Sequence, residues 1–278
     1  ITVVLNNSTD NTKEKVSSLG VNIYECKNKI SSKGDALKEV FAVMDKRNDI
    51  DAYIIFDADN VVDKNFLKHM NNSLNNGYLV AQGFRDTKNV SDNWISSSYA
   101  LYYYIQNYFF NKARTLMNSS SSINGTGFMV SKEVIDKYGF KTNTLTEDIE
   151  FAGLCALNNV KIDFVEEAIT YDEQPTNFKV SWVQRKRWSK GCLQCYQKYA
   201  PLLIKNMPKN KSCLDLLMLY FAPIVHIFTI LILMLSLVIN IINGDYSVII
   251  SKQSIINSII FSVAIYLAQI IICVYTVL

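Results

Sequence analysis

Short apolar runs alternate with amphipathic stretches along the amino-terminal part of the chain. The apolar runs are rich in Val, Ile, Tyr and Phe, which favours strands, whereas the stretches between them have the apolar spacing of helices. The predicted strands are 1–5, 21–24 and 52–56, and the predicted helices are 10–18 and 33–47. Strands separated by helices predict an α/β domain with a doubly wound, mostly parallel sheet.

The third predicted strand ends in two carboxylates that are one residue apart. Tyr53-Ile54-Ile55-Phe56 is followed by Asp57-Ala58-Asp59-Asn60. Alternation along an extended chain points Asp57 and Asp59 the same way, at the strand end where open α/β sheets bind ligands. Because Mg²⁺ takes one or two carboxylates together with substrate phosphates, this pattern favours a metal–diphosphate site. The alternative is a strand that simply ends at a polar turn.

The middle of the chain continues the alternation of strands and helices. Asp63 opens another amphipathic helix, and residues 78–82 form another strand. Residues 91–117 are rich in aromatic side chains, which predicts either a helix that covers the sheet or one that lies at a membrane interface. Two closing strands are predicted at 161–165 and 168–171.

Three further motifs stand between or within these elements. Asn124-Gly125-Thr126-Gly127 permits a close approach of the backbone to a ligand, although a hairpin turn has the same composition. Thr146-Glu147-Asp148 opens a predicted helix, with Thr146 as N-cap, and simple capping is the alternative to a functional role. Gln184-Arg185-Lys186-Arg187-Trp188 lies in the amphipathic helix predicted for residues 177–197.

Two long apolar spans end the sequence, at about 214–242 and 255–278. Each is long enough to cross a bilayer, which takes about 20 residues. The basic residues Lys205, Lys209 and Lys211 precede the first span, so the positive-inside rule puts the front domain in the cytosol. The alternative is a buried hairpin of a soluble protein.

Composition narrows the function classes. The chain of 278 residues has a net charge of +3, which is too small to indicate a nucleic-acid partner. Its close cysteine pair, Cys192 and Cys195, has no second pair or histidine beside it, which argues against a zinc site and favours reduced structural thiols. Because Ile1 and Leu278 both lie inside apolar runs, we expect a fragment with elements missing on both sides.

The three charged motifs together resemble those of a known family. Asp57-Ala58-Asp59, Thr146-Glu147-Asp148 and Gln184–Trp188 are similar in order and spacing to the D-x-D, T-E-D and Q-x-x-R-W motifs of membrane-embedded family-2 glycosyltransferases. That group includes cellulose, hyaluronan and poly-N-acetylglucosamine synthases. The resemblance covers nearly the whole chain. It implies a GT-A catalytic domain, Rossmann-like with a mostly parallel sheet, followed by transmembrane helices.

The resemblance also implies a reaction and roles for the acidic residues. The reaction is transfer of a hexose or N-acetylhexosamine from a UDP-sugar, with inversion at the anomeric carbon. Asp57 would line the nucleotide pocket, and Asp59 would hold a Mg²⁺ or Mn²⁺ ion on the diphosphate. Asp148 would be the general base that takes the proton from the acceptor hydroxyl, and Glu147 would assist it.

By the same resemblance, the remaining motif residues bind the two substrates. Gln184 and Arg187 would contact the diphosphate, and Trp188 would stack on the acceptor sugar. Lys33-Gly34 would hold the nucleotide, and Gly125-Thr126-Gly127 would hold the junction of donor sugar and acceptor. The alternative for the basic residues of the Gln184–Trp188 motif is a solvated helix face that touches lipid headgroups.

Two departures from the family pattern affect these expectations. Asn6 stands where many relatives carry an acidic residue, which puts one uridine contact in doubt, and the usual first strand is absent. We therefore expect residues 1–200 to form the cytosolic catalytic domain without its first strand. Residues 201–213 would form a basic interfacial linker, and residues 214–278 two transmembrane helices with a truncated carboxyl end.

The leading hypothesis is a processive polysaccharide synthase in the cell membrane, with a multi-pass anchor and a cytosolic catalytic domain. Its partners would be a UDP-sugar, a growing polysaccharide and membrane lipids, with further membrane subunits also compatible. One alternative transfers a single sugar to a lipid acceptor. Another is a catalytically silent membrane subunit, and a transporter is a weaker third, because two spans make a poor pathway.

Overall fold

A computed structural model describes residues 1–44, 47 and 49–242 of the chain. Seven strands and nine α-helices are found in these residues. The strands are β1 Thr2–Leu5, β2 Asn22–Glu25, β3 Ala52–Ile55, β4 Val61–Val62, β5 Val80–Thr87, β6 Phe128–Ser131 and β7 Ile162–Asp172. The helices are α1 Thr12–Ser17, α2 Lys33–Met44, α3 Phe66–Asn75, α4 Trp94–Ile105, α5 Ala113–Leu116, α6 Lys132–Tyr138, α7 Glu147–Leu157, α8 Phe178–Asn206 and α9 Lys211–Ile242.

The strands form two sheets, and the α/β class expected from the sequence is confirmed. β1 and β2 pair in parallel, and the larger sheet has the order β3-β6-β5-β7-β4. β3, β5 and β7 run in the same direction, but β6 is inserted between β3 and β5 and is antiparallel to both. The hydrogen-bonded neighbour of β3 is therefore antiparallel, although β3 runs in the same direction as β5 and β7.

The centre of the sheet is longer than the sequence predicts. β5 runs to Thr87 instead of ending after Gln82, and β7 is one strand where two were predicted. The two strands pair in parallel along their lengths, with a register shift between Gly83 and Phe84. A Cβ at Gly83 would lie 2.5 Å from the Ala168 carbonyl oxygen, so only glycine allows this close approach.

The main hydrophobic core lies between this sheet and the helices α2, α6, α7, α8 and α9. Phe128 and Val130 of β6 point into it and are almost fully buried. Phe151 of α7 and Leu203 of α8 meet them from the helical side. Burial of aromatic and branched side chains from all of these elements fixes the amino-terminal end of α7 relative to the sheet.

The aromatic segment forms one long helical stretch from α4 to α5. Asn93 caps α4 with hydrogen bonds from the backbone N–H groups of Ile95 and Ser96, and a π-helical segment, Gln106–Lys112, joins α4 to α5. Tyr99 is fully buried, whereas Phe109 is 70% exposed. The segment thus covers the sheet with one face and leaves aromatic rings exposed on the other.

The carboxyl-terminal helices extend beyond the predicted bounds. α8 continues through Pro201 to Asn206, and α9 begins at Lys211, so most of the predicted linker is helical. Within the part of the chain that the structure describes, α9 is the one helix long and apolar enough to span a membrane. The second predicted span, 255–278, lies outside the described residues.

Candidate active site

The candidate site begins at the turn that follows β3. The backbone N–H of Asp57 donates hydrogen bonds to Asn60 Oδ1, at 3.1 Å, and to Thr126 Oγ1, at 3.0 Å. Thr126 in turn donates from its hydroxyl to Asn60. The Asp57–Asn60 turn and the Gly125–Gly127 loop, which are distant in sequence, are therefore fixed to each other by partly buried hydrogen bonds.

Lys33 joins the first turn of α2 to both of these segments. Its ammonium group donates to the Asp57 carboxylate and to the Gly125 carbonyl oxygen, the latter at 2.7 Å. Gly34 lets α2 approach α7, because a Cβ there would lie 2.6 Å from Thr142 Oγ1 and 3.0 Å from Glu147 Cβ. The sequence-predicted Lys33, Gly34, Asp57 and Gly125 thus come together in the structure.

The glycines of the loop before β6 are required by its backbone. Gly125 and Gly127 have φ values of +81° and +61°, which side chains disfavour. A Cβ at Gly125 would also lie 3.2 Å from Asp148 Oδ2, and one at Gly127 would lie 2.7 Å from Thr170 Oγ1. The loop connects a helix to β6 and is not a hairpin turn, and it passes directly over the Asp148 carboxylate.

Glu147 and Asp148 occupy the first turn of α7, as predicted. Burial and the neighbouring Asp148 carboxylate raise the pKa of Glu147 to about 7, while Lys33 and Arg187 act against that rise. Burial also raises the pKa of Asp148, opposed by the hydrogen bond from the Ile149 N–H and by the charges of Lys33 and Arg85. A carboxyl pair with raised pKa values is suited to proton transfer near neutral pH.

Thr146 occupies the N-cap position of α7, but its side chain makes no capping hydrogen bond. Its side chain instead packs against α8, where a Cβ at Gly191 would lie only 2.3 Å from Thr146 Oγ1. Simple capping by Thr146 is therefore ruled out as the explanation of this motif. The close contact holds the acidic end of α7 against the helix that carries Gln184–Trp188.

Asp59 lies beside the other acidic residues of the site. Burial raises the pKa of Asp59, and the negative charges of Asp172 and Asp57 raise it further. Lys88 donates to the Asp59 backbone carbonyl at 2.6 Å. No cluster of three or more His, Cys, Asp or Glu suited to a metal occurs among residues 1–44, 47 and 49–242. The Asp59 carboxylate, repelled by Asp172 and Asp57, still fits an ion that takes most of its ligands from a diphosphate.

The Gln184–Trp188 motif faces the site from the first turns of α8. Gln184 and Arg187 line an open groove together with Asp59. The Trp188 ring packs against aromatic side chains of α4, 6.0 Å from the ring of Tyr99 and 6.4 Å from that of Tyr102. The motif therefore contributes both to the polar groove and to an aromatic cluster.

Sequence reasoning missed the polar residues beneath the loop. Arg85 donates to the Asp172 carboxylate, with Nε–Oδ2 at 2.9 Å, and to the Asn124 carbonyl oxygen at 2.6 Å. Gln82 accepts from the Asn124 N–H at 2.8 Å and donates to the Thr126 carbonyl oxygen at 3.0 Å. The Asp172 carboxylate also accepts a hydrogen bond from the side-chain amide of Asn60. The sequence signal that could have identified Gln82 and Arg85 is a polar side chain within the segment that forms β5.

Comparison with known proteins finds similarity in sequence and in fold. A family model described as "Glycosyl transferase family group 2" matches residues 53–273. A mannosyltransferase from Pyrobaculum calidifontis, solved with GDP-Man and Mn²⁺, has the same fold, with a TM-score of 0.54 and 15% sequence identity. The match covers 86% of this chain and 70% of that one.

Curated relatives match over a shorter stretch. A beta-monoglucosyldiacylglycerol synthase from Trichormus variabilis is 27% identical over 110 residues, which is 39% of this chain and 24% of the relative. A protein of the same description from Nostoc has the same identity and coverage. The chain thus aligns with about a quarter of the length of these relatives.

Proposed function

The chain belongs to glycosyl transferase family group 2, and on that premise we propose that it moves a hexose or N-acetylhexosamine from a UDP-sugar to an acceptor at a membrane. The observation that carries the proposal is the contact of Lys33 with both Asp57 and Gly125, opposite the Asp148 carboxylate. These groups form one site at a sheet edge, although they lie far apart in sequence. An arrangement of a cation, acids and a glycine loop suits a nucleotide-sugar and its reacting carbon.

The donor is assigned to the polar side of the site. Asp57 and Lys33-Gly34 would hold the nucleotide, and Gln184 and Arg187 would contact the diphosphate across their shared groove with Asp59. Asp59 would hold the Mg²⁺ or Mn²⁺ ion. The carboxylates of Asp172 and Asp57 repel that of Asp59, and a bound cation would relieve this repulsion. When bound, such an ion stabilises the negative charge that develops on the leaving diphosphate.

Asp148 would be the general base of an inverting transfer. Its carboxylate lies against Gly125, where the loop would hold the junction of donor sugar and acceptor. The acceptor hydroxyl gives its proton to Asp148 while its oxygen forms the new bond at the face opposite the departing UDP. Glu147 would hydrogen-bond the acceptor, and its raised pKa keeps it partly protonated near neutral pH.

The acceptor is assigned to the aromatic cluster that Trp188 forms with α4. Trp188 is braced by Tyr99 and Tyr102 and remains partly exposed, as a ring that stacks on a sugar must be. A growing polysaccharide would present a series of such sugars. On this reading the chain is part of a processive synthase, and Gly125-Thr126-Gly127 lies between its donor and acceptor ends.

A lipid acceptor is the second candidate. The relatives described as beta-monoglucosyldiacylglycerol synthases support it, because that description names a glycolipid product. The same base and donor residues would serve both reactions. The two candidates differ in how many sugars are added to each acceptor.

The membrane setting rests on two helices. α9 is long and apolar enough to span a bilayer, and every charged side chain of α8 is basic. A basic, partly aromatic helix next to an apolar one suits an anionic lipid surface. We place the catalytic domain on the cytosolic side, in a multi-pass protein whose second span would be residues 255–278, with membrane subunits as compatible partners.

The test is UDP release by the full-length protein in membranes, across a panel of UDP-sugars with Mg²⁺ or Mn²⁺. We expect release with one donor, its loss with chelator, and a loss of about 10²- to 10⁴-fold in Asp148→Asn. Asp136→Asn, an exposed acid on α6, is the matched control. Unchanged activity in Asp148→Asn would favour a silent subunit, and one sugar per lipid would exclude the polymer product.

A further inference from the structure

The apolar helix α9 has two parts with different surroundings. Near its start, Cys213, Leu216 and Tyr220 are buried in the main core against α7 and α8. From Ile227 onward its large apolar side chains are exposed. A single continuous helix therefore belongs to the catalytic core at one end and forms the candidate membrane span at the other.

Tyr220 connects α9 to the helix that carries the acidic pair. Its side chain is fully buried, and its hydroxyl donates to the backbone carbonyl oxygen of Ile149 at 2.8 Å. Ile149 directly follows Asp148 in the first turn of α7. The hydroxyl thus contacts the backbone one residue away from the candidate base.

Gly153, one helical turn further along α7, makes room for this hydroxyl. A Cβ at Gly153 would lie 2.2 Å from the Tyr220 hydroxyl oxygen, whereas the next nearest atom, Tyr220 Cζ, is at 3.4 Å. The first distance is a clash and the second is an ordinary contact. The tyrosine hydroxyl therefore occupies the space that any side chain at Gly153 would need.

A second contact fixes the rotation of α9 about its axis. Asp215 accepts two hydrogen bonds from the Arg114 guanidinium, at 2.7 and 2.6 Å. Arg114 lies on α5, which leads towards the loop over Asp148. Because two charge-assisted bonds orient the helix, Tyr220 is held pointing at Ile149 and Gly153.

We propose that Tyr220 is a positioning residue. Through it the apolar helix α9 sets how closely α7 packs, and so where Asp148 lies at the reacting centre. This inference rests on the proposed function, in which Asp148 is the base. It assigns α9 a part in the transfer reaction in addition to anchoring. Displacement of a reacting group by about 1 Å can cost about 10²-fold in rate, so a small shift of α7 is measurable.

The experiment compares Gly153→Ala, Tyr220→Phe and the double variant in the full-length membrane protein. We expect Gly153→Ala to lower kcat for UDP release by at least about tenfold, with the donor KM nearly unchanged, because the new methyl group pushes α7 off the hydroxyl. Tyr220→Phe should lower kcat only a few-fold. The double variant should recover to the level of Tyr220→Phe, because removal of the hydroxyl leaves 3.4 Å for the new Cβ.

Tyr138→Phe on α6 is the matched control for loss of a tyrosine hydroxyl, and thermal unfolding of each variant checks the fold. A double variant no more active than Gly153→Ala would overturn the inference, as would wild-type kcat in Gly153→Ala. If Gly153→Ala does not fold, the kcat of Tyr220→Phe decides, and a wild-type value would overturn the inference. Asp148→Asn distinguishes failure of the proposed function from failure of this inference. Full activity of Asp148→Asn refutes Asp148 as the base. An inactive Asp148→Asn beside a fully active Gly153→Ala refutes only the role of Tyr220.

Discussion

Arg85 and Asp172 form a buried ion pair at the end of the two parallel strands in the middle of the sheet. Their side chains are 11% and 5% exposed. The same guanidinium donates to the Asn124 carbonyl oxygen and lies 4.2 Å from the centre of the Tyr103 ring. Burial is tolerated because each polar group of the pair finds a partner. The pair thereby holds the strand ends, the glycine loop and α4 together under the candidate site.

Breaking this pair should destabilise the domain strongly. We expect Arg85→Met to cost about 3–5 kcal/mol of unfolding free energy, because it leaves the Asp172 carboxylate buried and unpaired. Adding Asp172→Asn should recover part of that loss. The measurement is the midpoint of thermal unfolding in detergent. Lys13→Met is the control, since Lys13 pairs with Glu25 on the surface and should contribute no more than about 1 kcal/mol.

The acidic pair of α7 predicts how activity depends on pH. Burial and the neighbouring Asp148 carboxylate raise the pKa of Glu147 to about 7, and burial also raises the pKa of Asp148. A base must be deprotonated to work, so kcat/KM should fall as the pH drops through the raised pKa of Asp148. In Lys33→Met the acid limb should move to higher pH, because the Lys33 charge lowers the pKa of both carboxyls. Lys64→Met, an exposed control, should leave the profile unchanged, and a Lys33→Met limb moved to lower pH would contradict the assignment.

The sequence predicted those parts of the site that follow from local patterns. Asp57 and Asp59 come directly after an apolar run, and Glu147 and Asp148 open an amphipathic helix, so alternation and capping rules place them at element ends. The glycines of the loop permit a close approach to a ligand, and a Cβ at Gly125 would lie 3.2 Å from Asp148 Oδ2. In each case the residues that identify the feature are neighbours in sequence.

The polar layer beneath the loop was not predictable in the same way. Gly83 and Arg85 interrupt the apolar pattern, which ended the predicted strand too early. The partners that allow Arg85 to lie in the strand are supplied by β7 and by the loop before β6. The antiparallel insertion of β6 likewise depends on pairing between distant segments. The contact of Tyr220 with Gly153 needs a tertiary structure, since nothing local marks either residue.

Trp188 predicts a selective effect on the acceptor. Its ring packs against Tyr99 and Tyr102, and it is not among the residues that line the polar groove with Gln184 and Arg187. We expect Trp188→Ala to raise the acceptor KM roughly 2- to 10-fold and to leave the donor KM nearly unchanged. This factor corresponds to the free energy of one stacking interaction. Trp188→Phe should recover most of the loss. Initial-rate kinetics with acceptor and donor varied separately give the two constants, and an equal rise in both would place Trp188 outside the acceptor site.

The last prediction concerns the exposed aromatic rings beside the groove. Trp94 of α4 lies 6.4 Å from Phe178, which lies 6.3 Å from Trp182 on α8, and all three side chains are more than half exposed. Lys186 and Lys190 continue the same face of α8 at intervals of four residues. Aromatic rings next to lysines are suited to the headgroup layer of an anionic bilayer.

The three tryptophans of the chain make this measurable. Single-tryptophan variants, each with the other two replaced by Phe, are placed in vesicles of anionic lipid with brominated acyl chains. We expect fluorescence quenching of Trp94 and Trp182 but much less of Trp188, because Trp188 is partly covered by Tyr99 and is not part of this exposed aromatic face. Soluble iodide should quench in the opposite order. If brominated lipid quenches Trp94 and Trp182 as weakly as Trp188, this face does not meet the bilayer, and α9 alone holds the domain at the membrane.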